Sequence, residues 1–293
     1  MIRSVLFTPT TRLDRLERGL ASGADLVVLD LEDGVGPGDK VAARAKVSDF
    51  ATGSSGGGFG GNDGDDGGGG DDDDRYLRLG LRINSLSTPE GILDMAIMLS
   101  WSRWPAVLVL PKVSSQAEIC QVVDLIATRP TRLLITLETA RGIADAADIL
   151  SVAPKSAIVG YGSADHMAET GGRMMETGLA WGRGQVVNAA AAANLPALDG
   201  VWLNYRDEAG LEREAELVQE IGFSGKIAIH PDQIETINRV FSPSEDELTM
   251  AHEMVAASED AGGGAFSFNG KMVDAPVLAR AHRLIEFNDR STE

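Results

Sequence analysis

Apolar runs of four to seven residues recur along the chain at 4–8, 26–31, 77–83, 106–111, 133–137, 157–160, 200–203 and 226–229. They are rich in Val, Ile and Leu, the composition of strands buried on both faces. Between them lie stretches with helical spacing of apolar positions, at 11–22, 40–51, 89–99, 115–127, 140–152, 182–194, 207–221 and 231–240. Several of these open on Ser, Thr or Asp, a helix-start signal. Eight strand–helix units in succession predict an α/β fold, a TIM-type (β/α)8 barrel of parallel strands. An open doubly wound sheet is the alternative. It needs a glycine-rich phosphate turn after the first strand, and Phe7-Thr8-Pro9-Thr10 supplies none.

The pattern continues beyond the eighth unit. A helix is predicted at 245–259, a glycine turn at 262–264, a hairpin at 265–273 turning on Asn269-Gly270, and a last helix at 276–287. The expected division is a barrel at 1–242 and an extension at 243–293 that covers a barrel mouth, its own or a neighbour's, and contributes to oligomer and active site. One segment fits neither part. Residues 53–74 hold 11 Gly and 7 Asp, too little apolar surface to offset the entropy of ordering them, so a flexible loop is expected. Its Asp spacing matches no helix–loop–helix calcium site.

Charge and composition narrow the partners. With 44 acidic against 26 basic residues the chain carries −18, which repels phosphate backbones and disfavours nucleic acid. No run of about 18 apolar residues occurs, so no membrane helix is expected. The start lacks the charged-then-apolar pattern of a secretory signal. Cys120 is the single cysteine, which excludes an intrachain disulfide and a cysteine-based zinc site and fits a cytoplasmic location.

In a barrel of this type chemistry gathers at the carboxyl ends of the strands. Those ends carry Asp30, Glu32 and Asp33, then Arg82 and Asn84, Lys112, Glu138, Asp165, Asn204 and His230. Glu138 and Asp165 follow neighbouring strands, and adjacent carboxylates repel unless a cation joins them. Their hard oxygens suit magnesium better than zinc. The alternative is that each pairs with an arginine, such as Arg141 or Arg82. Arg82 has the planar fork that grips a carboxylate, either a substrate's or that of Glu32 or Asp33. Glu32 and Asp33 are themselves candidates for touching substrate. Lys112 reads as salt-bridged in preference to an imine-forming lysine. His230, before Pro231, is a base or a structural turn.

Together these residues carry a resemblance. The chain resembles the citrate lyase β-subunit family, within the HpcH/HpaI aldolase and malyl-CoA lyase superfamily. The matching pieces are Leu6-Phe7-Thr8-Pro9, then Asp30 to Val35 followed by Lys40 and Arg44, then Arg82-Ile83-Asn84 and Pro111-Lys112-Val113. Leu137-Glu138-Thr139-Ala140, the turn from Gly162 to Asp165, Ile229-His230-Pro231 with Gln233 and Asn238, Phe241-Ser242-Pro243 and Asn269 to Asp274 continue it nearly to the end. The resemblance implies a homotrimer or homohexamer. It implies Mg2+, or Mn2+ in its place, on Glu138 and Asp165, and a substrate carboxylate on Arg82. It implies that Asp274 acts as acid or base in a neighbouring subunit's site, and that Arg12 and Lys40 lie near coenzyme A phosphates. The implied activity is carbon–carbon cleavage of a 3-hydroxyacyl-CoA (malyl-, citramalyl-, methylmalyl- or citryl-CoA) to an oxoacid and acetyl-CoA or propionyl-CoA. A malyl-CoA-type thioesterase and a non-catalytic acyl-thioester-binding subunit are the alternatives. Whether other citrate lyase subunits join it is left open.

Overall fold

The computed structural model describes residues 2–53, 58–59, 75–126, 128–260 and 264–292. Eight parallel strands pair in chain order and the last closes on the first. They are β1 (Ser4–Pro9), β2 (Leu26–Asp30), β3 (Leu79–Arg82), β4 (Val107–Leu110), β5 (Arg132–Leu137), β6 (Ile158–Tyr161), β7 (Ala197–Asp199) and β8 (Gly225–Ala228). Side chains from alternate positions, among them Val28, Val109, Leu134, Ile158 and Ile227, fill the interior. This is the packed core expected of eight strands. The predicted barrel is therefore the observed one.

Helices follow the strands, as the spacing predicts. Several begin where a side-chain oxygen takes an otherwise orphaned amide. Thr88 accepts from Gly91 N at 3.2 Å, Thr139 from Gly142 N at 2.9 Å and Asp207 from Gly210 N at 2.9 Å. The expected helix at 140–152 is two, Ala140–Ala144 and Ala146–Leu150, broken at Asp145 with φ −98° and ψ 14°. The helix expected at 182–194 is longer, Glu176–Ala193, and a separate helix, Ser163–Thr170, precedes it.

The seventh strand differs most from expectation. It lies at Ala197–Asp199, not at 200–203, with Leu198 opposite Gly160 on one side and Gly225 on the other. The reason is Asp199. It is fully buried, which its charge argues against, and is held between the barrel and the helix layer by Arg183 at 2.9 Å and by Lys226. Asn204 consequently sits in an exposed loop rather than at a strand end.

Two compact units are present, 2–238 and 239–293. In the second, helix Glu245–Asp260, the hairpin Phe266–Phe268 and Lys271–Val273, and helix Ala275–Thr292 reproduce the predicted helix–hairpin–helix order. Asn269 and Gly270 both have positive φ, 48° and 74°, as a two-residue turn of this kind requires. Most of the Gly/Asp-rich segment at 53–74 lies outside the described residues. Phe59 within it is buried, with its ring 5.2 Å from that of Phe50 and 6.0 Å from that of Trp101. No helix among the described residues is long and apolar enough to cross a membrane.

Candidate active site

The carboxyl ends of β2 to β6 bring most of the predicted residues together. Asp30, the last residue of β2, organises the first half. Its Oδ1 and Oδ2 accept from Arg82 Nε and Nη2, both at 2.7 Å, a two-pronged pair across the β2–β3 step. The same carboxylate accepts the backbone amides of Glu32 and Gly34 at 2.8 Å, which folds the chain beyond β2 back on itself. A Cβ on Gly34 would lie 2.5 Å from Asp30 Oδ2, so only glycine fits there. The Arg82 guanidinium also lies over the Phe7 ring, 4.4 Å from its centroid. Arg82 Nη1 is 3.0 Å from Glu32 Oε2, an ion pair without hydrogen-bond alignment.

Lys112 joins the two halves. Its Nζ donates to Glu32 Oε1 at 2.6 Å and lies 3.4 Å from Asp33 and 3.8 Å from Asp165. Its backbone N–H donates to Glu138 Oε1 at 2.7 Å. Lys112 has φ 55°, a left-handed backbone unusual for lysine. The reading of Lys112 as salt-bridged agrees with this geometry.

Glu138 and Asp165 follow β5 and β6, which pair directly. Glu138 is buried, and burial, with the neighbouring charges of Glu32 and Asp165, pushes its carboxyl up to about 8. Burial likewise raises Glu32, with Arg82 and Lys112 pulling the other way. A Cβ on Gly162 would fall 2.0 Å from Glu138 Oε2, so the glycine of the turn after β6 makes the space that Glu138 occupies. Arg141 does not pair with Glu138. It meets Asp145 at 3.2 Å on the helix surface.

A buried relay supports these groups. Lys40 Nζ donates to the carbonyls of Leu31 and Glu32 and to Asn84 Oδ1, at 2.7, 2.6 and 2.7 Å. Asn84 gives both its amides, N and Nδ2, to Asp94 Oδ2, and Arg44 Nε bonds Asp94 Oδ1 at 2.7 Å. Asp94 is not singled out by the sequence, and Asp30 is named there as a strand-end residue without its role on Arg82. Asp94 sits among apolar residues of a helix, and that burial pattern was the available signal.

The remaining predicted residues lie elsewhere. Arg12 is exposed and pairs with Asp14 at 2.7 Å. His230 stacks on Tyr205 at 4.5 Å, and its Nδ1 accepts from Asp232 N as a cap of the following turn. Asp274, in the second unit, precedes the last helix and accepts from Val277 N at 3.4 Å.

Two carboxylates suffice for magnesium, which takes one or two from protein and fills its shell with water and substrate oxygens. Among the described residues no group of three or more His, Cys, Asp or Glu is arranged to hold a metal ion. The oxygen-only pair of Glu138 and Asp165 fits magnesium on those terms, and a buried carboxylate so reluctant to ionise gains from a cation.

A closed parallel barrel with a carboxylate cluster and two fixed cations at its strand ends is the frame of a barrel enzyme. The chain belongs to the HpcH/HpaI aldolase/citrate lyase family, whose description matches residues 3–54 and 73–231. A second description, of carbon–carbon bond lyases of the TIM-barrel fold, matches 183–286. A citrate lyase subunit beta-like protein of Deinococcus radiodurans is 33% identical over 97% of this chain and 96% of its own. A (3S)-malyl-CoA thioesterase of Cereibacter sphaeroides is 34% identical, covering 97% and 93%. The crystal structure of CitE from Mycobacterium tuberculosis, in complex with magnesium, acetoacetate and coenzyme A, is 30% identical with a TM-score of 0.75, covering 97% of each chain. The family read from the motifs is thus the family found.

Proposed function

We propose that this chain is a magnesium-dependent carbon–carbon lyase that cleaves a 3-hydroxyacyl-CoA to an oxoacid and acetyl-CoA or propionyl-CoA. The observation that carries this is the buried Glu138 beside Asp165, two hard carboxylates facing one mouth with a reason to share a cation. The CitE structure bound to magnesium, acetoacetate and coenzyme A supports the same substrate class. Glu138 and Asp165 would hold the metal, Mg2+ or Mn2+. When bound, it would lower the cost of negative charge on the substrate's hydroxyl and carboxylate oxygens.

The protein groups then have separate tasks. Asp30 takes two nitrogens of Arg82 and leaves Nη1 for the substrate carboxylate, a contact shared with Glu32. Glu32 and Asp33, tied to Lys112, border that carboxylate and exclude a second anion. Loss of the hydroxyl proton to a base lets the bond between the carbinol and α-carbons break. The electron pair passes to the thioester enolate, and Asp274 of a neighbouring subunit supplies the proton to its carbon. On this reading the second unit contributes to a neighbour's site, and the proposed assembly is a homotrimer or homohexamer. Arg12, exposed beside the mouth-forming β1 end, is the first candidate for the coenzyme phosphates. Lys40 already serves three acceptors and would give some up to reach a phosphate.

A thioesterase is the second reading, favoured by the 34% identical relative. Incubation with malyl-CoA separates the two. A lyase releases glyoxylate and acetyl-CoA, and a thioesterase releases malate and free coenzyme A. No turnover of any of the four thioesters would leave a binding subunit. Chelation abolishes turnover and Mg2+ or Mn2+ restores it on this proposal. Full activity in excess chelator would sink the metal assignment.

A further inference from the structure

We infer that the Lys112 ammonium is a built-in counter-ion of the carboxylate cluster and sets how tightly the site takes a divalent cation. The inference rests on the metal assignment proposed above. Three non-glycine residues have positive φ among the described residues, Lys112, Asn194 and Asn269. Asparagine tolerates that region readily and lysine only at a cost, so at Lys112 the surroundings impose it.

The conformation lets one residue reach four carboxylates. The backbone N–H meets Glu138 at 2.7 Å, and Nζ meets Glu32, Asp33 and Asp165 at 2.6, 3.4 and 3.8 Å. Arg82, the other cation of the mouth, is committed to Asp30 and Glu32. Asp165, which is not on Arg82, therefore has Lys112 as its cationic neighbour. A dication seated between Glu138 and Asp165 stands close to that ammonium, and the two like charges repel. The main-chain half of the arrangement orders Glu138, and the side-chain half opposes the metal. An affinity held down in this way leaves the substrate's own carboxylate to complete the neutralisation.

The test removes the ammonium and keeps the backbone N–H. The full-length protein and its Lys112→Met and Lys112→Arg variants are titrated with Mg2+ and with Mn2+ by calorimetry, without substrate. Lys112→Met is expected to bind at least tenfold more tightly, and Lys112→Arg within threefold of the parent. If Lys112→Met is unstable by circular dichroism, Lys112→Gln replaces it with the same expectation. Binding only after the ammonium is removed also supports the inference. If the parent binds metal and the neutral variants bind it equally or more weakly, Lys112 is a strut that orders the carboxylates. The inference then fails while the metal assignment stands. No binding by parent or any variant overturns both.

Discussion

Replacing Asp199 with asparagine should be among the most destabilising single changes in the barrel. Four charges meet behind β7 and β8, Arg183 and Lys226 against Asp199 and Glu214. Arg183 Nε and Nη2 bond Asp199 at 2.9 and 3.0 Å, and Lys226 reaches Glu214 at 2.7 Å. The side chains of Arg183, Asp199 and Lys226 are at most 1% exposed, so solvent does not screen them. The set is balanced, and Asp199→Asn leaves one buried cation uncompensated. Breaking a buried pair in this way costs about 3–5 kcal/mol, a fall of roughly 10 °C in melting temperature for a barrel of this size. Urea titration is the assay, with the midpoint moving and the slope constant. Asp199→Asn with Lys226→Met restores the balance and should cost less than the two single changes added together. Burial raises the Asp199 carboxyl, but Lys226 and Arg183 overbalance it and hold it below its ordinary range. Its contribution is therefore present above pH ~4 and lost as pH falls through the lower folded value, so parent and Asp199→Asn should converge on acidification. A single-variant loss under about 1 kcal/mol, or strict additivity in the double variant, would refute the reasoning.

Other perturbations address the mouth. Gly162→Ala puts a methyl 2.0 Å from Glu138 Oε2 at an ordinary φ of −86°, so the effect is steric. It should cost about 1–3 kcal/mol and weaken calorimetric Mg2+ binding at least tenfold, and unchanged affinity would count against Glu138 as a ligand. Asp94→Asn removes one of the two carboxylates on Arg44, leaving Glu90, and loosens Asn84, with an expected loss of about 2–4 kcal/mol in urea and a lower kcat. An unaffected kcat would show the relay to be structural only. Arg82→Lys loses the fork on Asp30 and should lower kcat/KM with malyl-CoA by about 2–4 kcal/mol in transition-state binding. Unchanged kinetics would remove Arg82 from the substrate contact.

The barrel was legible because its strands are apolar runs of the right length, and seven of the eight runs fell close to the observed strands. The exception, β7, shows what hydrophobic patterning cannot see. Ala-Leu-Asp is a poor apolar run, and its Asp is admitted to the interior only because Arg183, sixteen residues earlier, and Lys226, twenty-seven later, converge on it. The strand-end residues of the mouth were legible for a related reason, since the ends of β3 to β6 and the first residues beyond them gather at one face of the barrel. Partnership was not. That Arg82 would spend two nitrogens on Asp30, or that Lys40 would be taken up by Leu31, Glu32 and Asn84, depends on distances across strands that spacing does not encode. Composition marks the Gly/Asp-rich segment as unable to pack and passes over Phe59, one apolar ring that packs against Phe50 and Trp101.

Position 112 sets two demands that no amino acid meets together. Its left-handed backbone is suited to glycine, and the carboxylates around it are suited to a cation. Lysine answers the second at a backbone cost of about 1–2 kcal/mol. Glycine would relieve that strain but return nearly as much through its freer unfolded chain. In backbone terms glycine here is thus close to neutral, and what its introduction removes is the cation facing Glu32, Asp33 and Asp165. The backbone would accept glycine, so it is the carboxylates around position 112, not its backbone, that hold lysine there.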